Sequence, residues 1–493
     1  MAQGTPLLPL MLSFLLLFLS IGTKVVQCVE HKQVLYLDKF QWKELKHVSK
    51  CVPQQSSEYP YLDSKQSPQV RRENGATILE MKQRDYCSGH IKNWDETLQH
   101  RLVSDDRRVQ SLQLRIKKQV SSHIEDLSST QIPLTSGVKL QTLNYIVTIE
   151  LGGRKMTVIV DTGSDLTWIQ CKPCISCYDQ QDPFFDPSLS HSYGEIMCNS
   201  STCQSLSNAT GYSGVCGTKR PSCNYLVSYG DGSYTRGELA RDYLNLSSTA
   251  VPDFVFGCGR NNKGLFGGAS GLMGLGRSQL SLVSQTSTNF SGTFSYCLPS
   301  TDTEDSGSLI LGESFSVFKN STPITYTNMI SNPLLSTFYL LNLTGISIGG
   351  VALQSPGLSN GGILIDSGTV ITRLAPSVYR ALRTEFLQQF SGYPPAPSYS
   401  ILDTCFNLTG YEELDIPTLK LRFEDSVEMT VDVMGMFYVV KTDASQVCLA
   451  IASLTYEDEL GIIGNYQQKN LRVIYDTKNS KLGFAEEICS YNL

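Results

Sequence analysis

For most of its length the chain alternates short apolar runs with turn residues. LNYIVTIEL (143–151), MTVIV (156–160), NYLVSYGDGS (224–233), DFVFGCG (253–259), FYLLNLTGISIGG (338–350), GGILID (361–366), MFYVV (436–440) and RVIYD (472–476) are rich in β-branched and aromatic residues. Runs of this kind between turn residues read as strands, so the body of the chain is expected to be all-β. Two stretches follow a different period. In 377–390, Val378, Leu382, Phe386 and Phe390 are spaced by four, which predicts a helix. Around 92–120, Leu98, Leu102, Val109, Leu112, Ile116 and Val120 recur mostly at three- or four-residue intervals, the stripe of a second helix.

Charge separates that second helix from the strands. Residues 29–136 carry 17 Lys/Arg against 14 Asp/Glu, whereas 137–493 carry 22 against 32. A basic, partly helical segment ahead of an acidic β-rich body is expected to lie over an anionic cleft. The chain's first residues contain LLPLMLSFLLLFLSIG (7–22), shorter than the ~20 residues a spanning helix needs, which reads as a signal peptide. Its n-region, MAQGTP, lacks Lys and Arg.

Cysteine usage points the same way. Twelve of the 15 Cys lie from Cys171 onward, an even number that reads as six disulfides formed in an oxidising compartment. CKPCISC (171–177) has zinc-like spacing, but no second C-x-x-C follows, so no metal is expected. Sequons at Asn199, Asn208, Asn245, Asn289, Asn320, Asn342 and Asn407 fall in the same region and suit a glycosylated secretory protein.

The candidate chemistry lies in a repeat. MTVIVDTGSDLTWI (156–169) and GGILIDSGTVITRL (361–374) each run an apolar strand into Asp-Thr/Ser-Gly-Ser/Thr. Gly163 and Gly368 are expected to permit a turn that a Cβ would make costly. The hydroxyls of Ser164 and Thr369 can donate to the preceding Asp161 and Asp366 and fix their orientation, with Thr162 and Ser367 completing each turn. Two carboxylates held close together cannot both stay ionised in a semi-enclosed site, so they share a proton. The ionised member can then deprotonate a water while the protonated member polarises a carbonyl. Neither metal nor cofactor is needed. One such turn is an ordinary polar loop; two, each behind an apolar run, specify a dyad.

From about residue 142 onward the chain resembles the pepsin-type aspartic proteases, in particular the plant branch of nepenthesins and chloroplast nucleoid DNA-binding aspartic proteases. The resemblance implies two β-rich lobes related by a pseudo-twofold, with Asp161 and Asp366 as the catalytic pair. It implies that SYGDGS (228–233) is a flap over the substrate, with Tyr229 and Gly230 at its tip and Trp168 packed against Tyr229. GLMGLG (271–276) and GIIGNYQQ (461–468), centred on Gly274 and Gly464, match the segments completing each active-site loop, and KLGFA (481–485) matches the closing strand. Cys405 and Cys448 match the disulfide of the C-terminal lobe. The Cys-dense stretch 171–223 and DPFFDPSLSHSY (182–193) resemble the nepenthesin-type insertion. LGGRKMTVIV (151–160) departs from the family in lacking Gly-Thr-Pro before the first motif.

The expected organisation is a signal peptide (1–28), a prosegment (29–136) released by cleavage near 125–140, an N-terminal lobe (137–330) and a C-terminal lobe (335–493). The expected function is endopeptidase activity on proteins and peptides, at acidic pH, in a monomer secreted or delivered to the vacuole. No membrane association is expected after signal cleavage. One rival is a catalytically silent binding or inhibitory protein on this scaffold, but both motifs are intact. The other is nucleic-acid binding, which rests on Lys/Arg. The body is acidic and the only basic cluster, RRVQSLQLRIKK (107–118), falls in the prosegment, so no nucleic-acid partner is expected. The N-terminus also lacks the Ser/Arg content of a chloroplast transit peptide.

Overall fold

The computed structural model describes residues 31–36, 70–73, 75–83, 94–121 and 144–489, apart from 219–220, 230–231, 247–248, 265, 301–305, 314–317, 319–321 and 360–361. The apolar block 7–22, the expected cleavage region 125–140, Gly230 and Asn320 lie outside the described residues. Among those described, no helix is long and apolar enough to cross a membrane.

Strands dominate. The period-four stretch forms the helix Pro376–Gln389, opened by a proline at its first turn and burying Val378, Tyr379, Leu382 and Phe386. Four one-turn helices, Ser201–Gln204, Leu206–Thr210, Leu282–Gln285 and Ser287–Phe290, fall where no apolar period marked them.

Each repeated motif is built by the same threading. Strand Arg154–Asp161 delivers the first Asp, the chain turns and leaves through Trp168–Gln170, and Gly271–Gly274 passes between the two. That third strand runs parallel to the incoming one, pairing Gly274 with Asp161, and antiparallel to the outgoing one, pairing Leu272 with Trp168. In the other half Ile363–Ile365 enters, Thr372–Leu374 leaves, and Gly461–Ile463 lies between, pairing Ile463 with Ile365 and Ile462 with Arg373. Gly274 and Gly464 allow this crossing. A Cβ would stand 2.3 Å from the backbone of Asp165 in the first and 2.3 Å from the Val370 carbonyl oxygen in the second.

A sheet joins the two halves. Its strands run in the order Thr325–Asn328, Lys481–Glu486, Leu471–Asp476, Thr293–Cys297, Gly307–Leu311 and Ala76–Gln83, and the last continues onto Tyr145–Leu151. The segment ahead of Tyr145 is thus part of the fold. Ala76–Gln83 is hydrogen-bonded along Gly307–Leu311, from Met81 opposite Gly307 to Thr77 opposite Leu311. Lys32–Tyr36 pairs with Glu413–Pro417 in the C-terminal half. Ala76, Ile78, Leu79 and Met81 are completely buried, which explains an apolar run inside an otherwise charged region.

All twelve Cys from Cys171 onward are in disulfides: 171–258, 174–177, 198–216, 203–223, 297–489 and 405–448. The three sulfurs of CKPCISC are therefore consumed in disulfides. Cys297–Cys489 closes a loop of 192 residues around the whole C-terminal half. Replacing both cysteines with serine is expected to lower the unfolding free energy by roughly 2–5 kcal/mol, measured by denaturant titration. Removing Cys174–Cys177, which spans three residues, should cost distinctly less, because little chain entropy is withheld from the unfolded state.

Candidate active site

Asp161 and Asp366 stand at the ends of the two incoming strands, both fully buried. In each turn the next-but-one amide and the following hydroxyl hold the carboxylate. Gly163 N–H donates to Asp161 Oδ1 at 3.0 Å and Ser164 Oγ to Oδ2 at 2.6 Å. Gly368 N–H donates to Asp366 Oδ1 at 2.9 Å and Thr369 Oγ1 to Oδ2 at 2.6 Å. The middle residues tie the lobes together reciprocally. Thr162 N–H donates to Ser367 Oγ at 3.1 Å, and Ser367 N–H donates to Thr162 Oγ1 at 2.9 Å. These two bonds supply a role for Thr162 and Ser367 that the isolated motifs did not reveal.

The reason for glycine differs from the sequence expectation. Neither Gly163 nor Gly368 is at positive φ. What excludes a side chain is the opposite carboxylate together with Arg108: a Cβ on Gly163 would lie 2.7 Å from both Asp366 Oδ1 and Arg108 Nη2, and one on Gly368 2.4 Å from Asp161 Oδ1 and 2.2 Å from Arg108 Nη2. Real Cβ atoms do not approach that closely, so each glycine leaves room for the other lobe's acid. Gly368→Ala is expected to separate the carboxylates and cut peptide hydrolysis at least about tenfold, since misplacing reacting groups by about 1 Å can cost a hundredfold. Circular dichroism should show the fold retained.

A third party occupies the dyad. The helix Trp94–Ser121 crosses the cleft and places Arg108 against both acids. Arg108 Nη2 donates to Asp161 Oδ1 at 2.6 Å and to Asp366 Oδ2 at 2.9 Å, while Nε reaches Asp366 Oδ2 at 3.1 Å. Burial pushes the Asp161 carboxyl up, yet Arg108, the Ser164 hydroxyl and the Gly163 amide together hold it below the ordinary range. Burial opposes the charge on Arg108 as well, and the two carboxylates more than compensate.

The same helix makes a contact on either side of the dyad. Arg115 bonds the Gly163 carbonyl at 3.3 Å, Asp165 Oδ2 at 3.3 Å and the Ala209 carbonyl at 3.2 Å, and stacks over Phe338 at 4.8 Å. Burial raises the Asp165 carboxyl to about 6 despite Arg115 and the Ser278 amide. Asp105 accepts from Val370 N–H at 2.5 Å and Ile371 N–H at 3.1 Å and lies 3.0 Å from Arg373 Nη2. Burial lifts the Asp105 carboxyl above its ordinary value, against the pull of Arg373. Leu98 and Leu102 pack with Val370, Ile371 and Tyr438, while Val109, Leu112 and Ile116 pack with Phe338, Leu364 and Ile462. The apolar stripe read from the sequence is thus the face buried against the cleft. Arg108 and Arg115 were not individually legible, although the basic cluster 107–118 they belong to was, and Asp105, just ahead of that cluster, was not marked at all.

The flap is a hairpin in which Cys223–Ser228 pairs with Tyr234–Leu246, Ser228 opposite Tyr234. Tyr229 N–H donates to the Ser233 carbonyl at 2.8 Å and turns the chain. Trp168, completely buried, donates its indole N–H to Tyr229 Oη at 2.8 Å. Phe266, unmarked in the sequence, lies edge-on to both rings at 4.8 and 5.6 Å. Between helix and flap, Arg108, Arg115, Asp161, Asp165, Ser228 and Tyr229 line a remaining cavity. Of the sequons, Asn199, Asn208, Asn289 and Asn407 are exposed. Asn245 and Asn342 are half-buried, and the Asn342 amide donates to Glu424 at 2.7 Å.

The fold and the doubled Asp turn define a bilobal, pepsin-like protein. Family models described as xylanase inhibitor N-terminal and C-terminal match residues 145–313 and 338–486. An aspartyl protease family protein of Arabidopsis thaliana is 44% identical over 393 residues, covering 78% of this chain and 81% of its own. Aspartyl protease AED1 of the same plant is 37% identical, covering 90% and 89%. Aspartic proteinase nepenthesin-1 of Nepenthes gracilis is 34% identical, covering 70% and 78%. Soybean Basic 7S globulin, at 20% identity, shares the fold with a TM-score of 0.56 over 71% of this chain and 95% of its own. The chain belongs to the plant pepsin-like aspartic protease family.

Proposed function

We propose that the chain is an aspartic endopeptidase made as a latent precursor. The observation that carries this reading is that carboxylates from opposite lobes both lie within hydrogen-bond reach of one guanidinium nitrogen. Once Arg108 withdraws, two acids at this spacing share a proton. A water between them gives its proton to the ionised acid and attacks the peptide carbonyl, whose oxygen takes a hydrogen bond from the protonated one. The tetrahedral intermediate collapses as the leaving amine receives the proton, and no covalent enzyme intermediate forms. Substrate lies extended under the Tyr229 hairpin.

In the precursor the helix Trp94–Ser121 fills the place the substrate would take, which makes the segment before the catalytic body an inhibitor in cis. Twelve disulfide-bonded Cys, the exposed sequons and the apolar block 7–22 support synthesis through the secretory pathway, with the apoplast or vacuole as destination. Soluble peptides and proteins are the partners this cleft fits.

A second reading, inhibition of another enzyme, is favoured by the description of the matching family models. The two separate on one assay. The full-length protein, incubated at pH 3–5 with a denatured protein, should release peptides, and pepstatin should stop it. If neither peptides nor an N-terminally shortened chain appear, the protease reading fails.

A further inference from the structure

The repeat places Arg373 where the other lobe has Trp168. Each lies seven residues after its motif's Asp, and each faces the threaded strand at the same register, Trp168 opposite Leu272 and Arg373 opposite Ile462. Trp168 is committed to the flap tyrosine. The two-carboxylate chemistry has no use for an arginine at the matching position.

Arg373 is only 1% exposed, although a charge that deeply buried requires a partner. Nη1 donates to the Ile371 carbonyl at 2.8 Å. Nη2 lies 3.0 Å from Asp105 Oδ2 and 3.9 Å from Asp106 Oδ1. Among the described residues no other carboxylate is within ion-pair distance, so the lobe itself provides no counter-charge. Asp105 is held further by the amides of Val370 and Ile371, four and five residues beyond Asp366. The result is a carboxylate cradle of two backbone N–H groups and a guanidinium beside the dyad, filled by the helix that blocks the cleft.

When that helix leaves, the two amides lose their acceptor and the guanidinium its counter-charge at once, within the cleft a substrate must enter. We propose that this cradle is a specificity subsite for an acidic side chain of the substrate, on the C-terminal-lobe side of the cleaved bond. This rests on the reading that the chain is an endopeptidase whose helix vacates the cleft. A backbone carbonyl could satisfy one amide but would leave the guanidinium uncompensated. A carboxylate satisfies the amides and the charge together, as Asp105 does. Arg373 is therefore a specificity residue, and Asp105 acts as a stand-in for substrate.

The test uses the acid-incubated full-length protein and pairs of peptides that differ only in Glu against Gln, with that residue walked along both sides of the cleaved bond. At one position kcat/KM should favour Glu on the order of tenfold at pH 5, the size expected of one charge-assisted hydrogen bond. The preference should fade toward unity at pH 3, because the substrate carboxyl is protonated below about 4.3. Arg373→Gln should erase the preference while still cleaving the Gln peptide. Arg373→Lys, which keeps the charge on a head that cannot fork, should retain part of it and covers the case of a misfolded glutamine variant. A ratio near one at every position, with the Gln peptides still cleaved, overturns the subsite and leaves the protease reading standing. Cleavage of no peptide at all removes the protease reading and the subsite with it.

Discussion

Arg108→Met should convert a latent chain into one that cleaves peptide without an acid step. Arg108 is the cation that bridges both buried aspartates while the helix is docked. Without it two carboxylates face each other under an apolar side chain, which costs several charge-assisted hydrogen bonds of ~1.5–3 kcal/mol each. Helix release should become easier by at least about tenfold, seen as cleavage of a quenched peptide at neutral pH. Arg107→Met removes the same charge one residue away and should leave the precursor latent. The normal acid trigger follows from the sign of each shift. Asp161 is held below its ordinary value, so its contribution to the docked arrangement is present at neutral pH and is lost as the solution falls below about pH 4. Asp165 and Asp105 are raised, so protonating them relieves a burial cost and acts in the opposite direction. Acid therefore loosens the helix at the dyad and not at its flanking ion pairs. A precursor fully active at neutral pH with Arg108 intact would refute this account.

Asp161→Asn and Asp366→Asn, each in the Arg108→Met background so that no acid step is needed, should each lower kcat roughly a thousandfold or more with KM little changed. General acid–base catalysis contributes about 10²–10⁴, and an amide can neither take the water's proton nor return it to the leaving amine. The substitution keeps the shape of the side chain, so Gly163 N–H can still donate to the amide oxygen while the Ser164 hydroxyl turns to accept from the amide nitrogen. Stability should accordingly change little by thermal unfolding. Substantial hydrolysis remaining in either variant would mean that the dyad is not the catalyst.

The dyad was legible because its chemistry is local: four residues in a row specify each turn, and the apolar run before each specifies the strand. The strands that deliver the two acids were legible as β-branched and aromatic runs between turn residues, and both long helices from their period, whereas Lys32–Tyr36 and Ala76–Gln83 were not, since they lie in a segment expected to be partly helical. The cleft-facing roles of Arg108 and Asp105 were not. In sequence they are two charged positions among several on one helix, and only the packing of Leu102 and Val109 on either side fixes which of them face the acids. Phe266 escaped notice for a related reason, since its partners Trp168 and Tyr229 reach it only through the folded lobe. Gly163 and Gly368 were singled out as needing no side chain, but the cause is not local, because the carboxylate that crowds each one comes from the other half of the chain. Arg373 was not singled out in the sequence; only its register opposite Ile462, matching Trp168 opposite Leu272, shows that it occupies Trp168's place in the other half.

The leader is woven in at three places, by Lys32–Tyr36, by Ala76–Gln83 and by the long helix, and these do different work. The helix only blocks, whereas Ala76–Gln83 closes the backbone of Gly307–Leu311 and holds the seam between the halves. A cut beyond the helix would therefore leave a nicked molecule whose severed piece is still stitched into the body by its ladders. On the proposed activation, such a cut would be a partial unlacing, in which the plug swings out while the selvedge stays sewn, and the length of the remaining tether would set how easily it falls back.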